Sequence, residues 1–438
     1  MTYRAFLRSL AFILDQGFWH EEAALEQVLD ALPTRQRQAK WPRRLIGRIF
    51  TTFSRYTRPS FGELSRFLRG DKDLQADLKR LTAIPLIVWR PGDQTRPHPV
   101  LRISGDLPIL KSVRDLASFL RMPVNSLQAL ADVHSREVRT LDARHRHYNY
   151  RWIQKRSGGQ RLIEIPKERL KHAQSQLLEC ILRHVPVHEA ARAYRRGLSL
   201  RDAVEQHVGQ RILLRIDLQD FFPSIGVGKV RQIFRHLGYP SAVAMQMAGL
   251  CTNVVPQAVL ETTSSNHRLS HVYQLPHLPQ GAPTSAVLSN LASYRMDARL
   301  TGLAAYWSMQ YTRYADDLLF SGDSLSAAQV SRLRTQILAV ASDEGFRIRR
   351  HKTKVMRAGR QQSALGLTLN SQTNTMRRDF DNLRALLNNA IRHGLESQNR
   401  DNHPKFLEHL AGRVAYHRSM NPKRGARLDR LLSLLINE

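Results

Sequence analysis

Tyr311-Thr312-Arg313-Tyr314-Ala315-Asp316-Asp317-Leu318-Leu319-Phe320 is the stretch that decides the fold. Two adjacent carboxylates sit between aromatic and aliphatic runs, Trp307 to Tyr314 on one side and Leu318 to Phe320 on the other. Such runs have strand character, and a short acidic connection between them reads as a β-hairpin with its carboxylates at the tip. Neighbouring acids repel, so exposing both at one turn is unfavourable unless a cation stands beside them. Carboxylate oxygens of this kind suit Mg²⁺. An ordinary Asp-Asp turn is the plainer alternative, and the rest of the chain decides between the two.

Working outward, the bulk numbers set bounds. With 438 residues there is room for two to four structural units. The 42% hydrophobic content supports a sizeable core. No apolar run reaches the roughly 18–20 residues that cross a bilayer. Arg4 and Arg8 flank apolar residues near the start, but Asp15 and Glu21 follow without a small-residue cleavage site, so a cytoplasmic protein is expected. Cys180 and Cys251 lie in apolar, helix-like stretches, which argues against a disulfide framework or a zinc site. His267, His271 and His277 have no cysteine among them and are read as solvated or RNA-facing. The net charge of +30 points to a polyanionic partner, nucleic acid ahead of membrane, because the excess is spread along the chain.

Residues 1 to about 70 show helical spacing, as in Leu7, Leu10, Ile13 and Leu14. From Arg35 to Arg69 a run of cations, including Arg43, Arg44 and Arg48, meets one acid, Glu63. Trp41, Phe50, Phe53, Tyr56, Phe61 and Phe67 are interleaved. Arginine with aromatics suits phosphate pairing and base stacking on RNA, and a helical subdomain with a solvated basic face is the alternative. Leu86–Trp89 and Val100–Ile103 read as short strands at a junction. Residues 107–132 read as two helices about a turn. Packing on the next domain is favoured over DNA reading, because no base-contacting polar set is present.

Three further segments bear on chemistry. Tyr150–Ile153 and Arg161–Ile165 read as strands joined through Ser157-Gly158-Gly159, with Lys155, Arg156 and Arg161 at the turn. Glycines there let the backbone close over phosphates. Arg211–Ile216 is a buried-strand run ending at Asp217, an acid costly to bury without a cation or donor. A helix cap or turn acid is the plainer role for it. Leu278–Ser285 is a loop punctuated by Pro and Gly, leading into a helix, with Gln280 as a donor.

Taken in order, DLQDFFPSI (217–225), LPQGAPTSAVLSNL (278–291) and YTRYADDLLFSG (311–322) resemble motifs A, B and C of a reverse transcriptase. The hairpin YRWIQKRSGGQRLIEIP (150–166), the helix LKHAQSQLLECIL (170–182) and the motif-D-like GFRIRRHKTKV (345–355) match as well, so the resemblance runs from about Leu116 to Leu432. VPVHEAARAYRRGLSLRDAVEQHVGQ (185–210) and PQGAPTS are similar to the bacterial retron branch. Two segments depart from it. Ala203-Val204-Glu205-Gln206-His207 keeps only the His of Asn-Ala-x-x-His, and Ala364-Leu365-Gly366 keeps only the Gly of Val-Thr-Gly. A non-retron, defence-associated reverse transcriptase making repetitive or untemplated, protein-primed DNA is therefore the alternative. A catalytically idle RNA-binding scaffold would have no use for the intact acids together with Gln280 and Lys155.

The resemblance implies an α+β right-hand polymerase: a basic, mostly helical extension (1–105), N-terminal helices and fingers (106–210), a palm with part of the fingers interleaved (211–370) and a helical thumb (371–438). It implies an RNA-directed DNA polymerase with two Mg²⁺ ions, Mn²⁺ being an alternative. Asp217 and Asp316 would bridge the ions, with Asp317 and the Leu218 carbonyl completing the set. Lys155 and Arg161 would hold the triphosphate, Phe222 would gate the sugar, and Gln280 and Gly281 would contact the nucleotide or templating pair. Lys352 would protonate pyrophosphate. Gly366 belongs to a primer grip, and His207 with Gly366 marks where retrons handle their RNA. The implied partners are a noncoding RNA, its DNA product, dNTPs and a separate effector in antiphage defence. No membrane is implied, and oligomeric state is left open.

Overall fold

The structure is a computed structural model describing residues 3–16, 21–53, 59, 61–80, 106–139, 142–154, 158–262, 272–323 and 325–437. The chain forms two compact units, residues 1–186 with 225–295 and residues 187–224 with 296–438.

The first unit opens with α1 (Tyr3–Gln16), α2 (Glu21–Ala31), α3 (Trp41–Thr52), α4 (Phe61–Gly70) and α5 (Lys72–Lys79). Phe6, Leu10, Leu45, Ile49 and Leu64 are fully buried in one shared apolar core. The basic stretch is less bare than its own window suggests, because its acids come from α5. Arg48 forms a two-point ion pair with Asp71 at 2.9 and 3.0 Å. Asp71 also caps α5 by accepting from Leu74 N–H at 2.7 Å. Arg44 contacts Asp77 at 2.6 Å, while Arg43 is exposed. The expected strands at 86–89 and 100–103 lie outside the described residues.

The expected helix pair is present as Val113–Phe119 and Val124–Ala131. The helix Ser241–Cys251 crosses the end of the second so closely that a Cβ on Gly249 would stand 2.2 Å from the Ala131 carbonyl oxygen. Only glycine permits that approach. The pair is thus packed on a helix of its own compact unit, where the sequence reading has it packing on the next domain. β1 (Tyr148–Gln154) and β2 (Gln160–Pro166) form the expected antiparallel hairpin, with Gln154 opposite Gln160. Residues 155–157 of its tip, Lys155 and Arg156 among them, lie outside the described residues, as do His267 and His271.

The second unit is built on a five-stranded antiparallel sheet of β3 (Ile212–Gln219), β4 (Met309–Tyr314), β5 (Asp317–Gly322), β6 (Arg347–Ile348) and β7 (Lys354–Arg357). β3 is central. β5 lies along one edge, and β7 then β6 pair with successive parts of the other. Successive residues Ile212, Leu213 and Leu214, which point to opposite faces, are all buried, and a strand covered on both faces has no polar side to show, hence its near-continuous apolar run. A small sheet of β8 (Ser363–Ala364), β9 (Leu367–Thr368) and β10 (Asn374–Thr375) follows. The β8–β9 turn is Leu365-Gly366, both with positive φ (53° and 80°), as a type I′ turn requires. The helices Arg377–His393, Phe406–Met420 and Pro422–Asn437 close the unit around Phe380, Leu383, Leu387, Leu410 and Leu428. Cys180 and Cys251 are both free thiols, and burial pushes the Cys251 thiol up to about 12. Among the described residues, no helix is long and apolar enough to cross a membrane.

Candidate active site

The acid pair sits where the hairpin reading placed it. β4 ends at Tyr314 and β5 begins at Asp317, opposite each other, so Ala315 and Asp316 form a two-residue turn. Ala315 takes the positive φ (55°) of a primed hairpin turn. Asp217, far off in sequence, lies directly opposite Asp317 in the β3–β5 register. The Leu218 N–H donates to the Asp316 carbonyl oxygen at 2.8 Å. Asp217, Asp316 and Asp317 are therefore gathered at one end of one sheet by main-chain pairing.

Side-chain cations crowd these acids. Arg215 donates to both oxygens of Asp317 at 2.8 and 3.1 Å. Arg349 Nη1 stands 3.1 Å from Asp217 Oδ1, and its Nη2 stands 3.6 Å from Asp220. Lys352 Nζ lies 3.7 Å from Asp217 Oδ2. Burial raises the Asp317 pKa, and this outweighs the opposing pull of Arg215. Of these three cations, the sequence points to Lys352 alone; Arg215 and Arg349 emerge from the strand pairing.

Among the described residues, no three His, Cys, Asp or Glu side chains already converge as a metal cage. The donor chemistry nevertheless fits a hard divalent cation, because carboxylates and a carbonyl are oxygen ligands. Asp217 Oδ1 is buried and receives no hydrogen bond; its contact with Arg349 is one of charge without donor alignment. A divalent ion would replace charge that the side-chain cations now supply.

Beneath the turn lies a buried ion pair. Arg313 and Asp297 are both fully buried, joined by Nε–Oδ1 at 2.8 Å and Nη2–Oδ2 at 2.6 Å. Tyr311 donates its hydroxyl to Asp297 at 2.9 Å, and Arg313 Nη1 donates to the Ala315 carbonyl at 3.2 Å. The guanidinium lies 5.6 Å from the Phe221 ring centroid, and Phe221 stacks on Phe346. Phe221 is the core aromatic expected after the strand, and Phe222 beside it is only partly buried.

His207 corrects an expectation. It has no exposed surface to offer a nucleic acid. Its ring hydrogen-bonds Ser321 at 2.6 Å and Thr312 at 2.7 Å, tying β4 to β5. Burial, with a smaller effect of Arg192, pushes its pKa from 6.5 down to about 4. The neutral ring is the folded form, so its stabilisation is whole above pH 6.5 and drains away as pH falls towards 4. Urea unfolding at pH 7 and pH 5 should differ by about 2 kcal/mol from this group, and His207→Gln should remove that part of the difference. An unaltered pH dependence in the variant would refute the assignment.

Of the remaining expected residues, Arg161, Gln280 and Gly281 belong to the first unit. Arg161 is exposed on β2. The Gln280 carbonyl accepts from Glu164 N–H at 2.9 Å. Gly281 has φ of 137°, and a Cβ there would stand 2.7 Å from the Glu164 carbonyl oxygen. The loop is thus laid against β2. The same contact is secured by fully buried side chains, His277 Nε2 to Glu164 at 3.1 Å and Asn253 to Glu164 at 2.7 Å. Burial alone lowers the His277 pKa, but Glu164 outweighs it and the pKa is raised. His277 is therefore neither solvated nor RNA-facing.

Comparison with known proteins now adds to this geometry. Residues 153–369 match the family model described as reverse transcriptase (RNA-dependent DNA polymerase). Retron Mx65 reverse transcriptase of Myxococcus xanthus is 38% identical over 74% of this chain and 72% of its own. Retron Mx162 reverse transcriptase of the same organism is 33% identical over 72% and 65%. Retron Ec86 reverse transcriptase of Escherichia coli is 27% identical over 75% and 91%.

Proposed function

Because the chain belongs to the reverse transcriptases of the retron type, and is as such an RNA-directed DNA polymerase, we propose that it copies a dedicated noncoding RNA into DNA in the cytoplasm as part of antiphage defence, with a separate effector chain. The observation that carries the placement of its chemistry is the register of Asp217 opposite Asp317, with Asp316 at the adjoining turn. Asp217, Asp316 and Asp317, with the Leu218 carbonyl, would hold the divalent ions, Mg²⁺ by preference. Such ions, when bound, lower the pKa of a primer hydroxyl and offset charge on the departing pyrophosphate.

The chain's own groups do the rest. Arg215 orients Asp317 through two hydrogen bonds. Arg349 and Lys352 face the Asp217 carboxylate and offset its charge. Lys352 is then the nearby proton donor for pyrophosphate. Phe222 excludes a 2′-hydroxyl and so selects deoxynucleotides. Lys155, Arg161, Gln280 and Gly281 serve the nucleotide, and Gly366 serves the primer. Exposed Arg43 is a phosphate contact for RNA, whereas Arg44 and Arg48 divide their charge with Asp77 and Asp71.

The test is to purify the protein from its own locus and sequence the nucleic acid that copurifies. One discrete RNA, with DNA complementary to part of it, is the expected result. Homopolymeric or repetitive DNA without such an RNA would replace this reading with the defence-associated alternative.

A further inference from the structure

Phe222 has two ring neighbours among the described residues, and they are held very differently. Phe221 lies at 5.5 Å and 70°. It is anchored in turn by Phe346, stacked at 5.6 Å, and by the buried Arg313 guanidinium. Tyr194 lies at 6.1 Å and 57° from Phe222. It comes from a different segment, and its backbone is unusual, with φ of 60° on a bulky residue. A large L side chain in that region is strained, and such strain persists only where surrounding structure enforces it.

The enforcement is visible. The segment just before Tyr194 is stitched to β4 by Arg192 N–H to the Arg313 carbonyl at 2.8 Å and by Arg313 N–H to the Ala190 carbonyl at 2.7 Å. Those bonds bring Tyr194 to the side of the catalytic hairpin. Tyr194 is 46% exposed, so burial of apolar surface alone does not account for its placement. A strained aromatic that stays half in solvent and touches a site residue points to that contact as functional.

We infer that Tyr194 is a specificity-determining residue that backs the Phe222 ring and keeps it from yielding to a ribose 2′-hydroxyl. This rests on the reading of Phe222 as the sugar gate. A gate that works by exclusion discriminates only as far as its ring resists displacement. Phe221 is fixed by its own packing, whereas Phe222 is only partly buried and needs a second support. Tyr194 supplies it through tilted ring–ring contact within the favourable range of centroid distances. The contact needs the ring, not the hydroxyl.

The experiment compares kcat/KM for a dNTP with that for the matching rNTP, in single-nucleotide extension of a DNA primer on an RNA template. Wild type, Phe222→Ala, Tyr194→Phe, Tyr194→Ala and Tyr194→Gly are measured below their melting temperatures. Phe222→Ala should reduce the dNTP preference about a hundredfold, and Tyr194→Ala about tenfold, while Tyr194→Phe keeps it. Tyr194→Gly removes the ring and relieves the backbone strain that Tyr194→Ala retains, and it should match Tyr194→Ala. If Phe222→Ala relaxes selectivity and both ring-deleting variants at 194 do not, the inference is overturned and the gate stands. If Phe222→Ala itself leaves selectivity intact, the gate reading falls and the support role falls with it. Relaxation by Tyr194→Phe would assign the effect to the hydroxyl and also overturn the inference.

Discussion

Asp217→Asn is expected to reduce DNA synthesis about a thousandfold or more, which corresponds to about 4 kcal/mol of transition-state stabilisation. The substitution keeps the shape of the side chain and the β3–β5 pairing, so the sheet should survive it. What it removes is the carboxylate that faces Arg349 and Lys352 and whose Oδ1 is buried without a hydrogen bond. An amide is a poorer ligand for a hard cation than a carboxylate. Asp316→Asn should be of comparable severity. Asp317→Asn should cost less, because that carboxylate is already committed to Arg215. Asp220→Asn should be mildest, since among the described residues its charge contact is a 3.6 Å approach of Arg349. Single-nucleotide extension with saturating dNTP, paired with a melting curve for each variant, checks the order. An Asp217→Asn protein that melts normally and keeps more than about a tenth of wild-type rate would remove Asp217 from the reaction.

That ordering separates what the sequence could convey from what it could not. The hairpin was legible because aromatic and aliphatic flanks with strand character and a short acidic connection point the same way. The neighbourhood of Asp217 and Asp317 was not legible from local pattern, because register across about a hundred residues leaves no local trace; only the resemblance suggested it. Nothing in the apolar run 211–216 assigns Arg215 a role, and that role appears once its partner strand is known. His207 was misread for a related reason. Its meaning lies in Thr312 and Ser321, two hydroxyls on paired strands that no window around residue 207 contains. The basic N-terminal stretch misled by its boundaries. Arg44 and Arg48 seemed unopposed because Asp71 and Asp77 begin just past its end. The helix pair at 113–131 was recognisable, but what it packs against depended on Gly249, whose importance is steric and has no periodic signature.

The second large effect concerns stability and the turn together. Asp297→Ala leaves a fully buried guanidinium without its counter-charge, and should destabilise the fold by about 3–5 kcal/mol in urea unfolding. Arg313→Lys should not rescue the site, because an ammonium cannot reproduce the two-point contact with Asp297 while also reaching the Ala315 carbonyl. The informative variant removes the whole polar group at once. In Asp297→Leu with Arg313→Met and Tyr311→Phe, no buried charge or hydroxyl is orphaned, and stability should return to within about 2 kcal/mol of wild type. Activity should not return with it. The Ala315 carbonyl would lose its donor, and Ala315 holds a positive φ that a non-glycine residue adopts only under constraint. Asp316 is the next residue, so freedom at Ala315 passes directly into the position of a carboxylate proposed to hold the divalent ions. If the triple variant is both stable and fully active, the ion pair serves packing alone. If it is stable and slow, the buried pair is kept because an apolar core of equal stability has nothing with which to hold that turn.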